Sequence, residues 1–208
     1  MPCSLLWADT AGSGSGGVPN SNVAVSPLEA FTNLGFDIVY EPGHSIAAAV
    51  AAAASADVAI VFGSAHSGEG SDRTDLLFAP SGDSAHTVED VIIAVAQAQK
   101  KTVVVAACPG QILTDWRTEV ASILVPFLPG EQYGNAIADI IFGVTIPQAK
   151  LPVSFPNVDN EQQMTVAQWP GLNSTVWEHT KEANYSEGQI VGYRWYVPLD
   201  CGGSIWLR

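Results

Sequence analysis

The chain has 208 residues, 47% of them hydrophobic, which is near the size of one large domain and enough to bury a sizeable core. Only 8 basic residues stand against 21 acidic ones, a formal net charge of −13, and neither Lys nor Arg precedes Arg73. That balance argues against nucleic acid and anionic membrane surfaces as partners, and no stretch approaches the roughly 20 apolar residues of a membrane span.

Residues 1–24 read as a Gly/Ser-rich N-terminal segment, with the run Gly12-Ser13-Gly14-Ser15-Gly16-Gly17 too small and flexible to pack. Ser26-Pro27 resembles an N-cap followed by Pro at the first helical position, predicting a helix to about Leu34 that Gly35 stops. Phe36–Tyr40 reads as a short alternating strand, and 44–56 as an alanine-rich helix with Ile46 and Val50 on one face. Asp57–Gly63 is a continuous apolar run of strand length, as expected of a parallel strand buried on both faces. Thr87-Val88-Glu89-Asp90 resembles a helix start with acids in its first turn. Val91–Gln99 continues that helix, and Lys100-Lys101 complements the dipole at its end. Thr102–Ala107 and Ala121–Phe127 read as further buried strands, and Asn135–Phe142 as a helix ended by Gly143 with Pro147 beyond. The alternation predicts an α/β sandwich, a mostly parallel sheet flanked by helices. After Leu151 Pro, Trp and Asn dominate, and an irregular C-terminal wrap is expected.

Ligands of open α/β sheets gather at the carboxyl ends of the strands. The loop after the Val58–Phe62 run reads Gly63-Ser64-Ala65-His66-Ser67-Gly68-Glu69-Gly70-Ser71-Asp72-Arg73-Thr74-Asp75. Glu69 lies between two glycines, where the backbone can turn sharply and present a carboxylate, and Asp72 and Arg73 are placed to pair. A solvated polar loop explains the same composition. Other constellations are weaker. The Gly12–Gly17 run lacks the spacing and the Lys of a phosphate-binding loop. Thr114-Asp115-Trp116 reads as a helix start with a packing Trp. Cys3, Cys108 and Cys201 are too scattered for a zinc site or a disulfide framework, and Cys108 reads as a small buried hydrophobe. The four His have no metal-ligand spacing and there is no Ser nucleophile elbow, so neither a metal nor a cofactor is expected. Met1–Trp7 lacks the basic start of a signal peptide. Sequons occur at Asn173 and Asn184.

Five blocks, in order, resemble the C-terminal α/β-sandwich domain of glycoside hydrolase family 3, the β-glucosidase family. They are Ser26-Pro27-Leu28-Glu29-Ala30 and Ser67-Gly68-Glu69-Gly70 with Asp72-Arg73, then Leu128-Pro129-Gly130-Glu131 with Gly134–Asp139 and Phe142-Gly143. Pro147 with Lys150-Leu151-Pro152 and Ser154-Phe155-Pro156 follows, and Tyr185–Gly188 with Val191–Trp195 closes the series. The resemblance implies a domain over residues 25–197 and a divergent tail over 198–208. It also implies retaining hydrolysis of terminal β-linked glucose in a β-glucoside or oligosaccharide. Such hydrolysis needs two carboxyl groups about 5 Å apart, a nucleophile and an acid/base. In the family an Asp on a (β/α)8 barrel domain is the nucleophile and a Glu from this second domain is the acid/base. Glu69 matches that position, with Ser67, Gly68, Asp72 and Arg73 as substrate-binding or supporting residues. Such an acid works best with a raised pKa, which burial at a domain interface supplies. No barrel precedes Met1, so the isolated chain is expected to be inactive. Asp115 superficially resembles the nucleophile motif but falls where the family's C-terminal domain carries a structural Trp. The family setting is secreted. Two other readings are a non-catalytic carbohydrate-binding or interaction module on the same fold, and a flavodoxin-like small-molecule binder, which explains none of the five blocks.

Overall fold

The computed structural model describes residues 24–43, 45–78, 86–169 and 183–196. The expectations for residues 1–23, for His44 as a helix start, for Cys3 and Cys201, for the Asn173 sequon and for the 198–208 tail lie outside these residues. Two units are distinguished by their internal contacts: one runs to Ile112 and resumes over Trp116–Ala149, and the other comprises Leu113–Asp115 and the chain from Lys150 onward.

The first unit holds a three-stranded parallel sheet in the order β1 (Ala59–Ser64), β2 (Thr102–Ala107), β3 (Ser122–Leu124). On one face α1 (Pro27–Asn33) and α4 (Tyr133–Ile141) cover Phe62, Val105 and Ala107 with Ala30, Phe31, Tyr133, Ile137 and Ala138. On the other, α2 (Ile46–Ser55) and α3 (Val88–Ala98) pack Ala49, Ala53, Val91 and Val95 against Ala59, with Val61 and Ile46 alongside. The period of two in β1 produces this split: Ile60 and Phe62 belong to one layer, Ala59 and Val61 to the other. This is an α/β sandwich, a parallel sheet flanked by helices.

The caps expected from sequence form. Ser26 Oγ accepts from the Glu29 amide at 3.1 Å with Pro27 beginning the helix, and Thr87 and Asp90 make a reciprocal capping box at the start of α3. Lys100 Nζ donates to the Ala96 carbonyl at 3.2 Å, serving the open end of α3. Gly134 has a packing reason as well. The α4 backbone lies so close to the Val25–Ser26 entry into α1 that a Cβ there would run into the Ser26 carbonyl, and Gly134 N donates to Val25 O at 2.9 Å.

Three expectations change. Phe36–Tyr40 forms no strand; Ile38 packs on the first core layer while Phe36, Val39 and Tyr40 stay exposed, so the alternation reports half-burial without a ladder partner. The inner face of α2 is made by Ala49 and Ala53, whose small side chains allow close approach to α3, and Val50 is only half-buried. The third strand is trimmed to Ser122–Leu124, since Pro126 soon removes a ladder donor.

Among its described residues the second unit consists mainly of turns, with one short helix, α5 (Tyr193–Tyr196). Thr114 donates through both its amide and its hydroxyl to the Pro156 carbonyl, and Glu161 accepts from Asn157 and from the Tyr196 hydroxyl. Among the described residues no helix is long and apolar enough to cross a membrane.

Candidate active site

The loop expected to matter leaves the carboxyl end of β1. Its first anchor is Ala65, buried, whose amide donates to Ala107 O at 2.9 Å and so continues the β1–β2 pairing by one step. Gly68 and Ser71 then exchange two backbone hydrogen bonds, at 2.9 and 3.0 Å, which closes a tight turn with Glu69 and Gly70 at its centre. Gly70 has φ +75°, the left-handed value that the third position of a type II turn demands, so a glycine is required immediately after the carboxylate. Glu69 is exposed at the tip, and Ser67 and Gly68 are half-buried at the base.

The returning arm is held differently from expectation. Arg73 does not pair with Asp72. Its Nη1 donates instead to the Gln111 carbonyl at 2.9 Å, tying the loop to the segment that follows β2, while Asp72 is exposed. Farther on, the buried Phe78 ring lies against Gly63, where an added Cβ would sit 2.8 Å from the ring, and 6.1 Å from the Trp116 ring centroid. The Phe78 amide donates to Glu89 Oε1 at 2.9 Å, so a carboxylate in the first turn of α3 fixes the end of the loop. The turn bearing Glu69 is thus clamped by backbone bonds and suspended between anchors on β2, on the loop after β2 and on α3. Arg73, Phe78 and Glu89 form this support, and only Arg73 had a legible signal. Glu89 looked like a dipole-complementing acid, and the Gln111 contact is made by backbone.

The remaining candidates fall into structural roles. Trp116 is 1% exposed, in the short 3-10 turn Asp115–Thr118, and Asp115 is exposed. Cys108 is buried at the end of β2, and that burial pushes its thiol up to about 11 despite the opposing charge of Arg73, so it remains a neutral packing group. Among the described residues no cluster of three or more His, Cys, Asp or Glu is arranged to hold a metal ion.

The sequence pattern of the glycosyl hydrolase family 3 C-terminal domain matches residues 7–193. The chain belongs to this family. Relatives of the family 3 domain include beta-glucosidase B of Emericella nidulans, 30% identical over 187 residues, covering 86% of this chain and 21% of that protein. A beta-glucosidase of Schizophyllum commune is 35% identical over 153 residues, covering 68% of this chain and 73% of that sequence. Among solved structures, the beta-D-glucoside glucohydrolase of Trichoderma reesei aligns with a TM-score of 0.70 at 25% identity, over 92% of this chain and 27% of that one. The Streptomyces venezuelae beta-glucosidase DesR, solved with D-glucose, aligns at 0.60 and 31% identity, over 73% of this chain and 18% of that one. The family 3 chain therefore spans about a fifth of the Emericella protein and about a quarter of the Trichoderma structure.

Proposed function

We propose that this chain is the acid/base-bearing domain of a retaining β-glucosidase-type glycoside hydrolase acting on terminal β-linked glucose. Glu69 is the acid/base, and the Asp nucleophile is supplied by a (β/α)8 barrel domain outside these 208 residues. The observation that carries the reading is the setting of Glu69: an exposed carboxylate on a clamped turn at the carboxyl end of a parallel strand, inside the family's matched segment. In the first step the Glu69 carboxyl gives its proton to the glycosidic oxygen as the C1–O bond breaks and the nucleophile bonds to C1. In the second, the Glu69 carboxylate takes a proton from water as that water attacks C1 and frees the nucleophile. Ser67, Gly68, Asp72 and Arg73 support this loop or contact sugar hydroxyls, and the exposed carboxyl of Glu69 is desolvated by the barrel side. The domain occupies 25–197, and the exposed Asn184 of the second sequon supports a secreted, glycoprotein setting with β-glucan or cellulose breakdown as its role.

A second reading, a non-catalytic carbohydrate-binding or interaction module, is favoured by one fact: the carboxyl that must be desolvated is exposed in this chain. A hybrid enzyme decides. With the corresponding domain of the Emericella beta-glucosidase B replaced by this chain, the hybrid should hydrolyse cellobiose and an aryl β-glucoside. The chain alone should do so no faster than buffer. Glu69→Gln in the hybrid should lower kcat on cellobiose by about 10²–10⁴. The loss should be smaller on a dinitrophenyl glucoside, whose leaving group needs no proton, and azide should restore turnover. A folded hybrid indifferent to Glu69→Gln would refute the acid/base assignment.

A further inference from the structure

Of the two sequons, Asn184-Tyr185-Ser186 lies among the described residues, in the second unit, and all three of its residues are exposed. The Ser186 amide donates to the Asn184 carbonyl at 2.8 Å, a three-residue turn that brings positions 184 and 186 together. Tyr185 is not among the residues with positive φ, so this is the common, unstrained inverse γ-turn. The turn is fixed from both sides. The Asn184 amide donates to the Ala167 carbonyl at 2.7 Å, Gly188 N donates to Tyr185 O at 3.0 Å, and Gln168 Nε2 donates to Glu187 Oε2 at 2.8 Å. All the bonds of Asn184 are thus made by its backbone. Among the described residues its carboxamide makes no hydrogen bond, whereas those of Asn135, Asn157 and Asn160 are engaged with Gln132, Glu161 and Met164.

We infer that Asn184 is a modification site, the acceptor of an N-linked oligosaccharide, with the Ser186 hydroxyl as the group that directs transfer to it. The donor is a lipid diphosphate-linked oligosaccharide. Asn184 Nδ2 bonds to C1 of its first sugar as the C1–O bond to the diphosphate breaks; one Nδ2 proton passes to a base of the transferase and the lipid diphosphate leaves. A sequon is needed for this but is not enough, because the acceptor must stay at the surface once the chain has folded. A buried or hydrogen-bonded carboxamide would have to give up contacts to carry a sugar. Asn184 gives up none, since its amide and carbonyl hold the turn and its side chain is left to solvent. The attached sugar also places a hydroxyl-rich, solubilising group next in sequence to Tyr185, whose side chain is 75% exposed. The inference rests on the secreted setting proposed above, where such a transferase works; the Glu69 chemistry has no part in it.

The test is to secrete the whole chain from a yeast behind a cleavable leader and map its peptides by mass spectrometry. Release of the glycan by an amidase-type endoglycosidase in heavy-oxygen water should leave labelled Asp at position 184. Asn184→Gln and Ser186→Ala should each lose that glycan, seen as one step of mass, and Ser186→Thr should keep it. Asn184→Gln retains the backbone bonds, so it should be secreted and should melt with the enzymatically deglycosylated parent. An unmodified Asn184 peptide from the secreted, folded parent overturns the assignment, whatever the Asn173 sequon carries. So does a glycan at Asn184 that survives Ser186→Ala. The leader supplies secretion and no turnover is measured, so the acceptor assignment and the acid/base assignment fail independently.

Discussion

A single missing side chain at Gly63 decides how the Glu69 loop closes. The Phe78 ring occupies the space a Cβ would need, and Phe78 is itself fixed by Glu89 and Trp116 neighbours, so the ring has little room to retreat. Gly63→Ala should therefore cost about 1–3 kcal/mol of overpacking strain, read as a lower urea midpoint with an unchanged slope. An unshifted midpoint would show that the ring moves freely and that Phe78 is no anchor. The sharp turn at Glu69 was legible because a residue between glycines at a strand's carboxyl end is an unusual local pattern. Its supports were not, because a Phe amide reaching a Glu eleven residues on, or an Arg choosing a distant carbonyl over its neighbour Asp72, depends on tertiary geometry that no spacing encodes.

Among the elements, α3 is the one whose start is most fully specified. The Asp90 carboxylate accepts from the Thr87 amide, which, with the Thr87 hydroxyl, holds its pKa below the ordinary 3.8. A depressed carboxylate stabilises the fold above the unfolded value and loses that contribution as pH falls through the lower folded one. Thr87→Ala should cost about 1 kcal/mol near neutrality. The stability gap between the parent and Asp90→Ala should hold steady from pH 7 to pH 5 and narrow below the ordinary 3.8, followed by thermal unfolding across pH. A gap that widens in acid would contradict the charge assignment. Helix starts were legible here and at Ser26 because capping is local chemistry. The beginning of α4 was placed two residues late, at Asn135, because Gln132 makes no side-chain cap and leaves no sequence mark.

For the whole molecule, β1 and β2 were readable as near-continuous apolar runs because they lie buried between helical layers, whereas β3 is exposed to half-buried and shorter than its run, and Phe36–Tyr40 shows that alternation alone does not supply a pairing partner. That segment and the end of α4 leave apolar surface exposed: the Phe36 and Phe142 rings stack at 4.1 Å, and Val144 and Ile146 are 76% and 73% exposed nearby in sequence. A net charge of −13 opposes contact between copies at low ionic strength. Salt should therefore promote association, since the Debye length shrinks from about 10 Å at 0.1 M to about 3 Å at 1 M while apolar contact is undiminished. Light scattering should record a mass that rises with salt, and less so in Val144→Lys/Ile146→Lys; a mass that stays constant would mean the surface is too small to act.

The parallel sheet also dictates the order in which the domain can form. Ala59 pairs with Thr102, 43 residues farther on, because parallel strands need a crossover between them. Nothing in β1 can be hydrogen-bonded to its neighbour until α3 has been made and folded back, and the closing of so long a loop comes before any gain from pairing. During synthesis β1 must therefore wait, unpaired and apolar, for some forty residues to follow it. The turn that carries Glu69 lies inside that interval, and its anchors on Ala107 and Gln111 arrive only with β2 and the loop after it, so the Glu69 carboxylate cannot reach its final place before β2 has paired.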